Sequence, residues 1–105
     1  MTAILAVAYS GQDEIVRGIK KCISAGVDLL KLTEKEFLSY LDTGAYPPPD
    51  LIVRTGGRNR HSGYFLYQSA YSEYFFTDTL WPDFSAKDFE EALNSYRASE
   101  RNFGK

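Results

Sequence analysis

The side chains best suited to chemistry are three arginines within seven residues, Arg54, Arg58 and Arg60. Guanidinium groups are permanently charged, and their forked N–H donors match phosphate oxygens. Gly56 and Gly57 would let the backbone approach a ligand closely. Ser62 adds a hydroxyl at the predicted start of a helix, where anions bind well. The spacing predicts a phosphate or diphosphate cradle, and a solvated arginine-rich surface turn is the alternative.

Two further polar residues, Glu73 and His61, are candidates beside this cluster. Glu73, at the entrance of a predicted strand, could help to hold Mg²⁺ on a diphosphate. Its alternative role is that of a surface acid or an ion-pair partner of one arginine. His61 is expected to be polar surface. The pattern GxxxxGK[ST] does not occur, which excludes the P-loop type of ATP hydrolysis.

The first half of the chain predicts a strand and two helices. Residues 3–9 (AILAVAY) form an apolar run typical of a strand buried on both faces. A helix follows Ser10–Gly11 and ends at Gly26. Its predicted buried stripe consists of Ile15, Ile19, Cys22 and Ile23. Thr33 and Glu36 predict a capping box that opens a short helix through Phe37, Tyr40 and Leu41.

The second half alternates strands and helices after a proline-rich loop at residues 44–50. Strands are predicted at residues 51–53 and 74–77, with a helix at 64–71 between them. Ser85 is the predicted N-cap of a last helix, which is expected to bury Phe89, Ala92, Leu93 and Tyr96. The alternation predicts an α/β fold, a mainly parallel sheet with flanking helices, with ligands at the carboxyl ends of the strands. Three strands leave sheet edges unpaired, which predicts partner strands or a larger fold.

Length, net charge and composition exclude several classes of protein. The chain has 105 residues and a formal net charge of −2, so we expect a single domain over residues 1–105 and no nucleic-acid partner. The run Ala3–Ala8 is too short to cross a bilayer, and no basic segment precedes it, so no signal peptide is expected. One cysteine, Cys22, and one histidine make an internal disulfide and a zinc site implausible, and a reducing cytoplasmic compartment fits. Aromatic residues make up 15% and concentrate after residue 64, which favours a core or a subunit interface.

Residues 50–57, Arg60, and the segments 62–66 and 68–84, which ends in YFFTDTLWPDF, resemble the C-terminal signature of cis-prenyltransferases, the undecaprenyl or other polyprenyl diphosphate synthases. The resemblance continues through Phe89, Ala92, Tyr96 and Arg97 to Phe103–Gly104. It covers essentially the whole chain.

The resemblance implies a specific activity and specific residue roles. Such enzymes condense isopentenyl diphosphate with an allylic diphosphate, with Mg²⁺ assisting departure of the allylic diphosphate. By motif position, Arg54, Arg60 and Ser62 would hold isopentenyl diphosphate, with Gly56 and Gly57 lining the cradle, and Glu73 would be the Mg²⁺-associated carboxylate at a dimer interface. The expected partners are a second copy or a complementary N-terminal chain, and the expected location is the cytoplasm, peripheral to a membrane through the lipid product.

Departures from the family pattern set further expectations. No DGNGR-like loop and no FSxENW-like segment is present, and many members read NYGG where this chain reads Ala8-Tyr9-Ser10-Gly11. Arg58 replaces a common glutamate. Asn102 replaces a frequent arginine, next to Arg101. We therefore expect that the chain alone does not complete prenyl transfer, being a truncated protein, one subunit of a split enzyme, or a degenerate remnant.

Two hypotheses from other classes stay open at this stage. A non-catalytic subunit could retain the fold and dimerise through the aromatic segment. A basic loop beside Tyr64, Phe65 and Tyr67 could stack single-stranded nucleic acid, but the net charge of −2 disfavours that reading.

Overall fold

The computed structural model describes residues 1–57 and 62–99. These residues form two compact units, which we call the helical unit (residues 1–48 and 62–68) and the sheet unit (residues 49–57 and 69–99). The elements, in chain order, are α1 (Gly11–Ser24), a 3₁₀ turn (Leu29–Lys31), α2 (Glu34–Leu38), β1 (Leu51–Arg54), β2 (Glu73–Phe76), a second 3₁₀ turn (Trp81–Asp83) and α3 (Ala86–Ala98).

The helical unit is built on a close approach of α1 to α2. A methyl group on Gly18 would lie 3.0 Å from Leu41 Cδ2 and 3.1 Å from Phe37 Cζ. Phe37, Leu41 and Cys22 form its buried core. The absence of a side chain at Gly18 is therefore what lets the two segments pack against each other.

The buried stripe of α1 differs from the predicted one. It consists of Gly11, Glu14, Gly18 and Cys22, spaced at three and four residues. Ile19 and Ile23 are 42% and 60% exposed, so their predicted burial is wrong. Small side chains on one face allow close packing, and the branched isoleucines lie beside that face, where Ile15 is only partly buried.

The predicted strand at residues 3–9 is also wrong. Residues 1–8 are exposed and are not in a strand, and only Tyr9 is partly buried. An apolar run supplies surface to bury but no hydrogen-bonding partner. Both strands in the described part of the chain belong to the other unit and pair with each other.

Two predicted helices are shorter or absent. Thr33 caps α2 as predicted, because its Oγ1 accepts from the N–H of Glu36 at 3.1 Å. The helix ends at Leu38, and residues 39–41 continue as turns with bonds to the third preceding residue. Residues 64–71 form successive turns and bends instead of a helix. Phe65 has a φ of 47°, which a right-handed helix does not contain.

The sheet unit confirms the two later strands and the last helix. β1 and β2 pair in parallel, from Leu51 opposite Glu73 to Arg54 opposite Phe76. Ser85 caps α3 reciprocally, since Asp88 N–H donates to Ser85 Oγ at 3.2 Å and Ser85 N–H donates to Asp88 Oδ2 at 2.8 Å.

Helix α3 buries less of its apolar face than the sequence predicts. It contacts β2 and buries Ala92 completely. Leu93 and Tyr96 are partly buried, and Phe89 stays 49% exposed. The α/β class, with parallel strands and flanking helices, is confirmed.

Candidate functional site

Arg54 is the last residue of β1, at the carboxyl end of the strand pair. The N–H of Thr77 donates to its carbonyl oxygen at 3.0 Å, which continues the ladder one step beyond β2. The backbone of Arg54 is thereby held, and the residue is partly buried. Its guanidinium is a permanent cation at the edge of the sheet where α/β proteins bind ligands.

Gly56 and Gly57 form the turn that follows, with φ values of 87° and 75°. Their N–H groups donate to the carbonyl oxygens of Thr79 and Thr77, both at 3.0 Å. The sequence predicted that these glycines bring the backbone close to a ligand. In the structure both N–H groups tie the turn after β1 to the segment after β2. Positive φ values, which glycine adopts without strain, make this tie possible.

The two glycines differ in what surrounds them. A methyl group on Gly57 would lie 3.1 Å from Asp78 Oδ1, whereas none of the described atoms lies within 4 Å of one on Gly56. Gly57 is therefore packed against the segment after β2. Gly56 keeps an open face.

Residues 77–79 complete this end of the sheet and were missed by the sequence reasoning. The N–H of Thr79 donates to Thr77 Oγ1 at 3.3 Å, and the two threonine hydroxyls also lie 3.3 Å apart. Asp78 is exposed beside Gly57. The signal was available, because a Thr-Asp-Thr sequence directly after a strand is typical of a side-chain-to-backbone turn. Among the described residues, this end of the sheet thus carries the guanidinium of Arg54, threonine hydroxyls and the carboxylate of Asp78.

Glu73 lies at the opposite end of the strand pair. It opens β2 opposite Leu51, three steps from the Arg54–Phe76 pair, which is about 10 Å along a strand. Its N–H donates to the carbonyl oxygen of Asp50 at 2.9 Å. The parallel register therefore separates Glu73 from Arg54 within one chain. A metal role for Glu73 stays a prediction.

The remaining predicted residues belong to the helical unit or lie outside the described residues. Ser62 belongs to the helical unit, is exposed, and has a φ of 52°. Arg58, Arg60 and His61 lie outside the described residues, as do Arg101, Asn102 and Phe103–Gly104. The structure thus brings Arg54 together with Gly56 and Gly57. The contribution of Arg60 and Ser62 to the same cradle stays a prediction.

A buried carboxylate in the helical unit was also missed. Glu14, in the first turn of α1, is 1% exposed. It accepts hydrogen bonds from the Nε2 of Gln68, the N–H of Asp42 and the hydroxyl of Tyr9. Burial and the hydrogen bond to Glu14 raise the pKa of Tyr9 far above its ordinary range, so Tyr9 stays protonated as the donor. The spacing of Glu14 from Gly18 and Cys22 was the available signal.

An ion pair on the surface of the helical unit involves Asp42, whose N–H donates to Glu14. Arg17 donates from both terminal nitrogens to the carboxylate of Asp42 at 2.7 Å and from Nε to Asp13 at 2.7 Å. Hydrogen bonds from Arg17 lower the pKa of Asp42. This forked arrangement holds residue 42 against α1. Its exposed charges contribute little stability, as surface pairs generally do.

The described part of the chain contains neither a cluster of side chains that could hold a metal ion nor a helix that could cross a membrane. Residues 1–57 and 62–99 contain no group of three or more histidine, cysteine, aspartate or glutamate side chains placed to hold a metal ion. None of the helices formed by these residues combines the length and apolarity that crossing a membrane requires.

Comparison with known proteins identifies the family. Residues 1–104 match the family model described as "Putative undecaprenyl diphosphate synthase". The chain belongs to the undecaprenyl diphosphate synthase family. The isoprenyl transferase of Treponema pallidum is 47% identical over 105 residues, a match that covers 98% of this chain and 46% of that protein. The resemblance seen in the sequence is confirmed.

Other members of this family support the match in sequence and in structure. The ditrans,polycis-undecaprenyl-diphosphate synthase of Buchnera aphidicola is 45% identical over 104 residues, covering 95% of this chain and 42% of that protein. The crystal structure of lavandulyl diphosphate synthase from Lavandula x intermedia, in complex with dimethylallyl diphosphate, has a TM-score of 0.89 and 38% identity, covering 97% of this chain and 46% of that one. The chain therefore spans less than half the length of these relatives.

Proposed function

We propose that this chain is the isopentenyl-diphosphate-binding part of a cis-prenyltransferase, which condenses isopentenyl diphosphate with an allylic diphosphate to make a polyprenyl diphosphate. The observation that carries the proposal is the placement of Arg54 at the carboxyl end of a parallel strand. The turn that follows Arg54 is hydrogen-bonded to the two threonines after β2. The family match and the short-chain diphosphate held by the lavandulyl diphosphate synthase structure support the substrate class.

The charge and hydrogen-bonding capacity of each side chain determine its proposed role in binding the diphosphate. Arg54 and Arg60 would hold the diphosphate through charge-assisted hydrogen bonds, and Ser62 would donate its hydroxyl. Thr77 and Thr79 bring two further hydroxyls to the carboxyl end of the strands. A preorganised cationic cradle holds the diphosphate without reorganisation, which orients the isopentenyl double bond for attack on the allylic carbon.

Mg²⁺ is the cofactor that the family implies. Mg²⁺ typically binds one or two carboxylates together with substrate phosphates and water, so a single glutamate can suffice. We propose Glu73 as that carboxylate, in agreement with the resemblance. The ion would neutralise charge on the departing diphosphate. Because Glu73 lies about 10 Å along the strand pair from Arg54, it would serve a diphosphate held by another copy of the chain.

A dimer is therefore part of the proposal. The sheet unit exposes several large apolar side chains, with Trp81 at 72% exposed, namely Tyr71, Leu80, Trp81 and Phe89. Aromatic residues are enriched at protein interfaces. We propose a cytoplasmic homodimer that touches the membrane only through its lipid product, and an allylic-diphosphate part supplied by the remaining length of the family fold.

Calorimetry with isopentenyl diphosphate and Mg²⁺ tests the proposal. Arg54→Ala and Arg60→Ala should each weaken binding by at least about tenfold, because each removes a charge-assisted hydrogen bond. Lys87→Ala, which removes an equal charge from the exposed surface of α3, is the control and should bind normally. Absence of binding by the unmodified chain would contradict the proposal.

Activity requires a second experiment. The chain is mixed with a polypeptide that covers the remaining length of a family member, and incorporation of radiolabelled isopentenyl diphosphate into an allylic starter is measured. Product that depends on both polypeptides supports a split or truncated enzyme.

The exposed aromatic side chains also favour a second candidate, a non-catalytic dimerising subunit. That candidate predicts dimerisation in sedimentation experiments with no heat of isopentenyl diphosphate binding. A dimer that also binds the diphosphate supports the transferase proposal instead.

A further inference from the structure

The carboxylate of Glu14 is an unusual group to bury. It is 1% exposed, and an unpaired buried carboxylate is very costly in free energy. Its two oxygens accept from Gln68 Nε2 at 3.0 Å, from the N–H of Asp42 at 2.9 Å and from the hydroxyl of Tyr9. Its position in the first turn of α1 adds the favourable field of the helix N-terminus.

Glu14 and the residues around it hold both ends of one segment, residues 62–68. Gln68 ends this segment and is itself 3% exposed. The ring of Tyr9 packs edge-on against Tyr64 and Phe65, with centroids 5.5 Å and 5.7 Å away. At the start of the segment, the N–H of Gly11 donates to the carbonyl oxygen of Gly63 at 2.7 Å. All these contacts are made by residues in the first turn of α1 or by Tyr9, which precedes that turn.

The segment needs such contacts because its backbone is strained. Ser62 and Phe65 have φ values of 52° and 47°, in the left-handed region. Non-glycine residues pay a conformational cost there and persist only where surrounding contacts impose the geometry. Strained backbone of this kind clusters at functional sites. The segment also begins with the hydroxyl that the proposed function assigns to the diphosphate.

We infer that Glu14 is a positioning residue, which through Tyr9 and Gln68 holds residues 62–68 in the strained conformation that presents Ser62 to the diphosphate. This inference rests on the proposed function for the role of Ser62. Glu14 itself does not contact the substrate in this scheme. It acts on the substrate affinity by fixing the segment.

Hydrogen exchange and calorimetry together test the inference on the full 105-residue chain. Glu14→Gln keeps the shape but leaves one acceptor oxygen for the three donors, which come from Tyr9, Asp42 and Gln68. Exchange of the 62–68 amides should rise by about tenfold, and isopentenyl diphosphate affinity should fall by a similar factor, because a buried donor loses its partner. Gly11→Ala offers an independent route, since its methyl group would overlap the carbonyl oxygen of Gly63 and should have the same two effects.

Two further variants separate positioning from general destabilisation. Cys22→Ala removes a buried core side chain of the same unit about two helical turns from Glu14, at a residue that makes none of the Glu14 bonds. At matched stability, adjusted with urea, it should leave 62–68 exchange and affinity close to those of the unmodified chain. The double variant Glu14→Gln with Gln68→Glu restores a carboxylate–amide pair with its polarity reversed, and it should recover most of the lost affinity.

The outcomes distinguish this inference from the proposed function. Unchanged 62–68 exchange in folded Glu14→Gln overturns the inference, as does a loss of affinity that Cys22→Ala reproduces at matched stability. If the unmodified chain binds no isopentenyl diphosphate while Glu14→Gln still loosens residues 62–68, the proposed function fails and the positioning of the segment by Glu14 stands. Binding that Glu14→Gln weakens and the double variant restores supports both.

Discussion

Arg54 and Glu73 lie at opposite ends of the same parallel strand pair, because Arg54 pairs with Phe76 and Glu73 pairs with Leu51. The residue that the resemblance assigns to isopentenyl diphosphate and the residue that it assigns to Mg²⁺ are thus about 10 Å apart along the strands of a single chain. In the proposed dimer, Glu73 of one copy would serve a diphosphate held by the other copy.

Mixing two defective variants tests this arrangement. Arg54→Ala and Glu73→Gln chains should each lose Mg²⁺-dependent binding of isopentenyl diphosphate. In a mixture that exchanges subunits, half of the dimers are mixed and one of their two sites is intact, so about a quarter of all sites should recover in a symmetric dimer. Calorimetry measures the recovered sites, and unmixed samples are the controls. No recovery in verified mixed dimers would contradict a site shared between copies.

The turn after β1 predicts different costs for two neighbouring glycines. Gly57→Ala places a methyl group 3.1 Å from Asp78 Oδ1 at a φ of 75°, whereas Gly56→Ala meets no atom of the described residues within 4 Å at a φ of 87°. Both should lower the free energy of unfolding by about 1–2 kcal/mol through backbone strain, and Gly57→Ala should cost more. Urea unfolding followed by circular dichroism measures the difference. Equal or reversed costs would contradict the packing of Gly57 against Asp78.

Tyr9 predicts a loss of stability in alkali. Burial, followed by the hydrogen bond to Glu14, raises its pKa in the folded chain above the ordinary value of about 10. The folded chain therefore holds this proton more tightly, and the resulting stabilisation is fully present below about pH 10 and is lost as the pH rises through the folded pKa. Urea unfolding from about pH 8 to about pH 11 should show a decline that is smaller in Tyr9→Phe.

Burial also raises the pKa of Tyr67, so ionisation of Tyr67 lowers the stability in alkali equally in both chains. The comparison with Tyr9→Phe therefore isolates the part of the decline that Tyr9 causes. Identical pH profiles of the unmodified chain and Tyr9→Phe would show that Tyr9 is not buried against Glu14 in solution.

The capping box of α3 predicts a local effect. Ser85→Ala removes the acceptor of the N–H of Asp88 and should lower the free energy of unfolding by about 1 kcal/mol. Ser95→Ala, at an exposed position of the same helix, is the matched control and should change stability little. Thermal unfolding measures both. A cost at Ser95 equal to that at Ser85 would contradict the cap.

Short-range features were predictable from the sequence itself. Thr33 and Ser85 cap their helices as predicted, because a cap depends on bonds to residues only three positions away. β1 and β2 were also found, since each is a short apolar run bounded by turn residues. The resemblance of residues 50–84 to the family signature predicted the family, and the family model confirms it.

Long-range relationships were decided only by the tertiary structure. The apolar run at residues 3–9 carries a strand pattern, yet a strand needs a hydrogen-bonding neighbour, which composition does not specify. The sequence carried no prediction for Glu14, which is buried because Tyr9, Asp42 and Gln68 enclose it. The separation of Arg54 from Glu73 depends on strand register. The sequence pattern therefore determined which residues are candidates for the chemistry. Packing between distant segments decided which residues meet, because burial and pairing are properties of two surfaces and each segment specifies only one.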